Sequence, residues 1–241
     1  MFNDVIGLIG GFGGYATLDF YRRILETFRG DTEREFPHII IDNDFTMPSR
    51  TRCLLTGEGY KEIVNGIKKS MSLLIKGGAS YIVLVCGTAH FFLEDVYKDI
   101  PEAKKRVLDI IDITGEYYSV EQDSPLFVMA AEGTLKQELY VKKLGRQGIK
   151  CVQPGADDYP EIRYLLECVK QNSITDETCE RFIKLIDKYC AQNVLLGCTE
   201  LPVIVNSHQM NGWSKSGKDL ERYSFYDPLE YTLKRLVEIL Q

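Results

Sequence analysis

Two cysteines stand in surroundings that suit proton transfer. Cys86 follows the apolar run YIVLV and leads into Gly87-Thr88-Ala89-His90; Cys198 follows VLLG and leads into Thr199-Glu200. Each thiol therefore comes just after a strand-length run and has a threonine within two residues. A cysteine thiol has a reference pKa of about 8.5, and a helix N-terminus or a neighbouring hydroxyl lowers it. Such a group serves as base or acid near neutral pH. Inverting a stereocentre beside a carboxylate removes a proton from one face and returns one to the other. Two thiols flanking the carbon perform that exchange directly. Thr88 and Thr199, with backbone N–H groups around Gly87 and Thr199, would hold the α-carboxylate and stabilise enolate-like charge. This chemistry requires neither a metal nor a pyridoxal cofactor. One cysteine at the end of a buried strand is usually inert packing; a pair at matching places is the stronger signal. The others, at 53, 151, 168, 179 and 190, form no CxxC and have neither disulfide-framework nor zinc-site spacing.

The elements that must position these thiols alternate. Apolar runs of strand length fall at 5–9, 39–41, 81–85, 126–130, 150–152 and 194–196. Between them lie TLDFYRRILETF, YKEIVNGIKKSMSLLIKGG, TLKQELYVKKL, YPEIRYLLECVK and DETCERFIKLIDKYCA. All carry apolar residues at the three- and four-residue spacing of amphipathic helices. Strands rich in Val, Ile and Leu, separated by helices, predict parallel sheets covered on both faces. The order also repeats: strand, small-residue turn (10–14, then 131–134), helix, strand, helical stretch, strand, cysteine. This predicts an α/β fold of two similar Rossmann-like or flavodoxin-like lobes, 1–115 and 116–226, related by a pseudo-twofold. A last helix within 227–241, LEYTLKRLVEIL after Asp227-Pro228, is expected to pack back on the first lobe. Open α/β sheets bind ligands at their C-terminal strand ends, so both cysteines would face one cleft between the lobes.

The 241 residues are 44% hydrophobic and 27% charged, with a net charge of −6 and both signs interspersed. That balance fits a globular enzyme and excludes the basic field of a nucleic-acid or anionic-membrane binder. No apolar run approaches the roughly 20 residues of a membrane span. MFNDVIGLIGGFGG enters a strand with no basic leader before it. The expectation is a cytoplasmic protein that binds a small molecule and has no nucleic-acid or membrane partner.

A competing motif shares the N-terminus. Gly11-x-Gly13-x-x-Ala16 follows a strand and opens a helix, as a dinucleotide fingerprint does, and Asp42 closes the second strand. Asp42 stands further from the glycines than that fingerprint requires, and the scheme gives the two cysteines no task. Dinucleotide binding therefore ranks below two-thiol chemistry, in which these glycines, Gly11 among them, let backbone approach the substrate. Asn43, at the same strand end, either bonds the substrate or forms a turn. His90 either tunes Cys86 or begins a helix, and Glu200 either orients Cys198 or caps the next segment. His38 and His208 read as solvated or structural. The polar stretch SHQMNGWSKSGKDLERYS reads as a mobile loop, a lid near the second cysteine.

Taken together, GLIGGFGGYATLDFY, DNDFTMPSR, LVCGTAHF, EGTLKQELY, LLGCTELP and YDPLEY resemble the aspartate/glutamate racemase superfamily over nearly the whole chain. The resemblance implies a cofactor-independent homodimeric racemase that interconverts L- and D-aspartate or glutamate. It makes Cys86 and Cys198 the acid–base thiols, and Thr88 and Thr199 the α-carboxylate contacts. It places Arg50, in MPSR, and Lys170, in ECVK, on the side-chain carboxylate; an Arg fork and a Lys point charge both suit that task. Thr134 remains of the family's ATxGT turn, whose first threonine is Ala131 here. Asn is usual after the first cysteine and is Gly87 here, while GGMGP reads with Phe12 for Met and Gly14 for Pro. Gly87 and Ala131 take two polar groups from the expected substrate site, and a lost buried donor costs about 1–3 kcal/mol. A maleate isomerase-like enzyme of another dicarboxylate, or a non-catalytic binder of acidic metabolites, is compatible with the same residues.

Overall fold

The computed structural model describes residues 3–30, 32–118, 125–215 and 220–240. Its strands are β1 (Val5–Ile9), β2 (His38–Asp42), β3 (Ala79–Leu84), β4 (Leu126–Met129), β5 (Cys151–Val152), β6 (Asn193–Leu196) and β7 (Ser224–Tyr226). The helices of the first half are α1 (Gly14–Thr27), α2 (Arg50–Thr56), α3 (Tyr60–Lys76), α4 (Leu93–Asp99) and α5 (Ile110–Tyr117). Those of the second are α6 (Glu132–Lys136), α7 (Leu139–Gly145), α8 (Tyr159–Lys170), α9 (Asp176–Lys188), α10 (Leu201–Val205), α11 (His208–Lys215) and α12 (Pro228–Leu240). No helix among the described residues is long and apolar enough to cross a membrane.

The strands form two parallel sheets, ordered β2-β1-β3 and β5-β4-β6-β7. β5-β4-β6 repeats β2-β1-β3, so the chain adopts the expected two-lobed α/β fold. In each lobe the connections leave the central strand to opposite sides, which opens a crevice at its C-terminal end. The repetition reaches single hydrogen bonds. Val85 N–H donates to Ile9 O (2.9 Å) just past β3, and Gly197 N–H donates to Met129 O (2.7 Å) just past β6. Even β7 has a trace counterpart, a parallel bridge between Val107 and Ile82 beside β3.

Two expectations are corrected. The stretch 207–224 is not a loop throughout, because α11 occupies its first half and Ser224 begins β7. Met210 is buried in the core and Ser207 Oγ accepts from its N–H (3.2 Å), so one apolar anchor and one cap fold an otherwise polar segment. Residues 216–219 lie outside the described residues. TLKQELYVKKL, read as one helix, is two: Glu138 takes a left-handed φ of 53° and separates α6 from α7.

One apolar cluster runs from Ile6 and Leu8 of β1 through Phe20 and Ile24 of α1 to β4, β6, α8 and α9. A second lies on the other face of the first sheet, around Ile9, Ile63, Ile67, Met71 and Phe92. The helix α12 lies along α5 and buries Leu229, Leu233 and Leu236 in the first cluster. Its start is fixed twice: Asp227 accepts from Leu229 N–H (2.9 Å) and pairs with Arg23 of α1 (2.7 Å). Residues 115 and 116 both fall inside α5. The lobes thus share a core, which holds their facing strand ends in register.

Candidate active site

Cys86 stands two residues beyond β3 and Cys198 two beyond β6. After each the chain turns back on the cysteine carbonyl, with Ala89 N–H to Cys86 O (3.2 Å) and Leu201 N–H to Cys198 O (3.0 Å). Both thiols line one cavity of about 320 Å³. The first lobe lines it with Phe12, Arg50, Leu55, Cys86 and Thr88, and the second with Ala131, Glu132, Leu166, Lys170, Cys198 and Glu200. The helices α2 and α6 meet across the lobes, with Thr51 Cα 3.0 Å from where a Cβ on Gly133 would stand.

The two sulfurs have opposite neighbours. Burial pushes both thiols above the ordinary cysteine range, which corrects the expectation of lowered values. At Cys86 the Arg50 guanidinium and the N–H groups of Ala89 and Thr88 pull the other way, against a further push from Glu200. At Cys198 the Glu200 carboxylate reinforces burial, because Sγ donates to Glu200 Oε2 at 2.9 Å. Glycine makes room for that buried carboxylate: a Cβ on Gly13 would lie 2.4 Å from Glu200 Oε1. Gly11, with a φ of 79°, backs directly on the Asp44 backbone. A carboxylate and a carbonyl therefore fill the glycine turn, and both disfavour a pyrophosphate there.

His90 supports the first turn from behind. Its Nε2 accepts from Ile110 N–H (3.4 Å), which leaves the proton on Nδ1 to be donated to Cys86 O (2.9 Å). Burial lowers its pKa, so the ring is neutral and spends both nitrogens on backbone.

Thr88 lines the cavity, and its hydroxyl shares a 2.7 Å hydrogen bond with Thr134 of the other lobe. Thr199 does not line it; its hydroxyl donates to Val85 O (3.3 Å), a second tie between lobes. Gly11, Asn43, Gly87, His90 and Thr134 also stand off the lining. Asn43 is exposed, with its amide oxygen against Gly10. Position 87 is occupied in another way. A Cβ there would lie 2.6 Å from the Tyr140 hydroxyl and 2.7 Å from Gly197 O, so tyrosine fills the space between the two cysteine turns. That hydroxyl is buried and has no hydrogen-bond partner among the described residues.

Arg50 opens α2 behind the Ser49 cap. It donates to Phe12 O (2.8 Å) and Pro48 O (3.0 Å), and its guanidinium lies 4.7 Å from the Phe12 ring centroid. Lys170 ends α8 and pairs with Glu167 (2.8 Å). Arg163 pairs with Glu132 (2.6 Å), and Arg52, at the rim, with Glu58 (2.8 Å). Sequence reasoning misses Glu132, Arg163, Leu166 and Glu167. The available signal was their spacing: 163, 166, 167 and 170 share one face of α8, the face on which Lys170 ends. Among the described residues no group of three or more His, Cys, Asp and Glu converges as a metal site would require.

The family model for Asp/Glu/hydantoin racemases matches residues 9–211. The broad specificity amino-acid racemase RacX of Bacillus subtilis (strain 168) is 22% identical over 212 residues, 85% of this chain and 89% of that protein. The aspartate racemase of Picrophilus torridus superposes with a TM-score of 0.79 at 22% identity, covering 99% of this chain and 94% of that one. The glutamate racemase of Campylobacter jejuni subsp. jejuni gives 0.68 at 18% identity, covering 98% and 88%. Structural likeness at such identities establishes the fold alone, whereas the family match spans most of the sequence. The chain belongs to the Asp/Glu/hydantoin racemase family and is, by that membership, an isomerase of the racemase type.

Proposed function

We propose that the chain racemises a free amino acid by two-base chemistry, with Cys86 and Cys198 on opposite faces of the α-carbon. The observation that carries this reading is that thiols from two lobes line one cavity. The α-carboxylate lies toward Thr88 and Arg50. Cys86, where the guanidinium opposes burial, is the thiol that ionises more readily and serves as the first base, and Cys198 keeps its proton against Glu200. Cys86 Sγ takes the α-proton, and the electron pair left on carbon spreads into the carboxylate as enolate-like charge. Cys198 Sγ–H then returns a proton to the opposite face and becomes the thiolate, from which the reverse reaction starts. A positioned acid or base contributes on the order of 10²–10⁴-fold. The likeness to amino-acid racemases supports the substrate class, and the relative described as broad in specificity leaves the side chain open. The expectation of aspartate or glutamate rests on Arg50 and Lys170; both line the cavity, but Lys170 already has a carboxylate partner.

Incubation with L-amino acids in D₂O tests the mechanism. Proton NMR should show loss of the α-proton, and chiral chromatography should show the D-enantiomer. Cys86→Ala and Cys198→Ala should each abolish inversion, since either face then lacks its acid–base group. Full inversion by either variant would sink the two-thiol reading.

A further inference from the structure

We infer that the side chain this site accepts is uncharged and of leucine or methionine size, rather than the carboxylate of aspartate or glutamate. The inference rests on the racemase reading and concerns only the substrate class. An acidic side chain needs a cation whose charge is not already neutralised. Lys170 lies 2.8 Å from Glu167 and Arg163 lies 2.6 Å from Glu132, and all of these line the cavity. Among the described residues Arg50 pairs with no carboxylate, but its terminal nitrogens already donate to two carbonyls. Its field falls on Cys86 and on the space where the α-carboxylate must lie. A second carboxylate would therefore meet charges that are already paired, and would lose its hydration in a partly enclosed site without a free cation in return. Displacing Glu167 from Lys170 only exchanges one carboxylate for another.

The whole lining agrees with the pairs. Arg163 and Lys170 are paired with Glu132 and Glu167, Arg52 is matched by Glu58 just outside the lining (2.8 Å), and Arg50 and Glu200 remain, so the formal charges cancel. A substrate of zero net charge matches such a site; a net anion or a net cation does not. The rest of the wall is apolar, with Phe12, Leu55, Leu166 and Ala131. Ala131 brings only a methyl group to the wall, which offers a polar side chain no partner there. At about 320 Å³ the cavity falls within the range of about 300–1,000 Å³ typical of ligand sites, enough for a full-sized amino acid.

The experiment compares initial α-proton exchange in D₂O for L-leucine, L-methionine, L-aspartate, L-glutamate and L-lysine. Leucine and methionine should have kcat/KM at least roughly tenfold above the three charged substrates. Glu167→Gln frees Lys170 and should raise the glutamate-to-leucine ratio by roughly tenfold. Glu132→Gln, which frees Arg163, repeats the test should the first variant fold poorly. If aspartate, glutamate or lysine exchanges fastest, or if neither variant moves the ratio, the inference is overturned while the racemase reading stands. Folded protein that exchanges none of the five would overturn both.

Discussion

In the first lobe Cys86 emerges from β3 near a guanidinium and receives the N–H groups of Thr88 and Ala89. In the second, Cys198 emerges from β6 and donates a hydrogen bond from its thiol to the carboxylate of Glu200. Strand order, the hydrogen bond after each strand and the turn on each cysteine carbonyl are the same. The repeated scaffold supplies two equivalent positions, and the charges beside them make those positions unequal. Two thiols in identical surroundings would compete for one proton. Under the proposed mechanism, opposite partners make Cys198 the more firmly protonated thiol and Cys86 the first base.

Removing the cation should break this difference most severely. In Arg50→Met the Cys86 thiol keeps burial and Glu200, both of which raise its pKa. The active base is the thiolate, so activity rises as pH climbs through the Cys86 pKa, and a higher pKa moves that rise to more alkaline pH. We expect kcat/KM to fall about 10²–10³-fold near neutrality, with the acid limb of the pH profile shifted upward. An acid limb that stays in place would show that Arg50 does not govern Cys86.

Removing the anion is the milder, mirror-image change. Glu200→Gln leaves Cys198 an acceptor for its proton but takes away the charge that helps hold the thiol pKa high. Cys198 must be protonated to act as the acid, so activity falls as pH climbs through its pKa, and a lower pKa brings that fall in earlier. The expected loss is about tenfold, and here the alkaline limb of the bell moves down, with a smaller downward move of the acid limb because Glu200 also pushes Cys86 up. Should both variants narrow the bell from the same side, the assignment of proton and thiolate to the two lobes would be wrong.

The sequence exposes the positions in this comparison better than their partners. Both cysteines, Thr88, Arg50, Lys170 and Glu200 converge on one cavity, because strand ends and helix ends are fixed by local patterns. Thr199 is a different case. It stands one residue after its cysteine where Thr88 stands two, so the side chains leave their turns differently, and only Thr88 reaches the lining. Glu132 and Glu167 join the site only because the fold sets their helices against the cavity. β7 escapes because three residues, SFY, are too few for a period. The occupant of the space at Gly87 is tertiary information: the left-handed Glu138 breaks the helix, and Tyr140 follows in α7.

Tyr140 offers the finest test of how the lobes are held alike. Its ring carbon Cε2 lies 3.0 Å from where a Cβ on Gly197 would stand, and its hydroxyl 2.6 Å from the same point on Gly87, so it wedges against both cysteine turns. The ring shapes that contact, while the hydroxyl is shut away from water with no partner among the described residues. An unpaired buried hydroxyl forfeits its hydration, about 1–3 kcal/mol, and receives nothing in return. Tyr140→Phe keeps the wedge and removes that loss. Stability should hold or rise by about 1 kcal/mol, read from the urea midpoint at unchanged m-value, and inversion should change by less than about threefold. A loss of more than about 1 kcal/mol would mean that the hydroxyl binds a water or a carbonyl between the turns. The matching geometry of the two thiols would then depend on one hydrogen bond from the second lobe rather than on the repeated sheets alone.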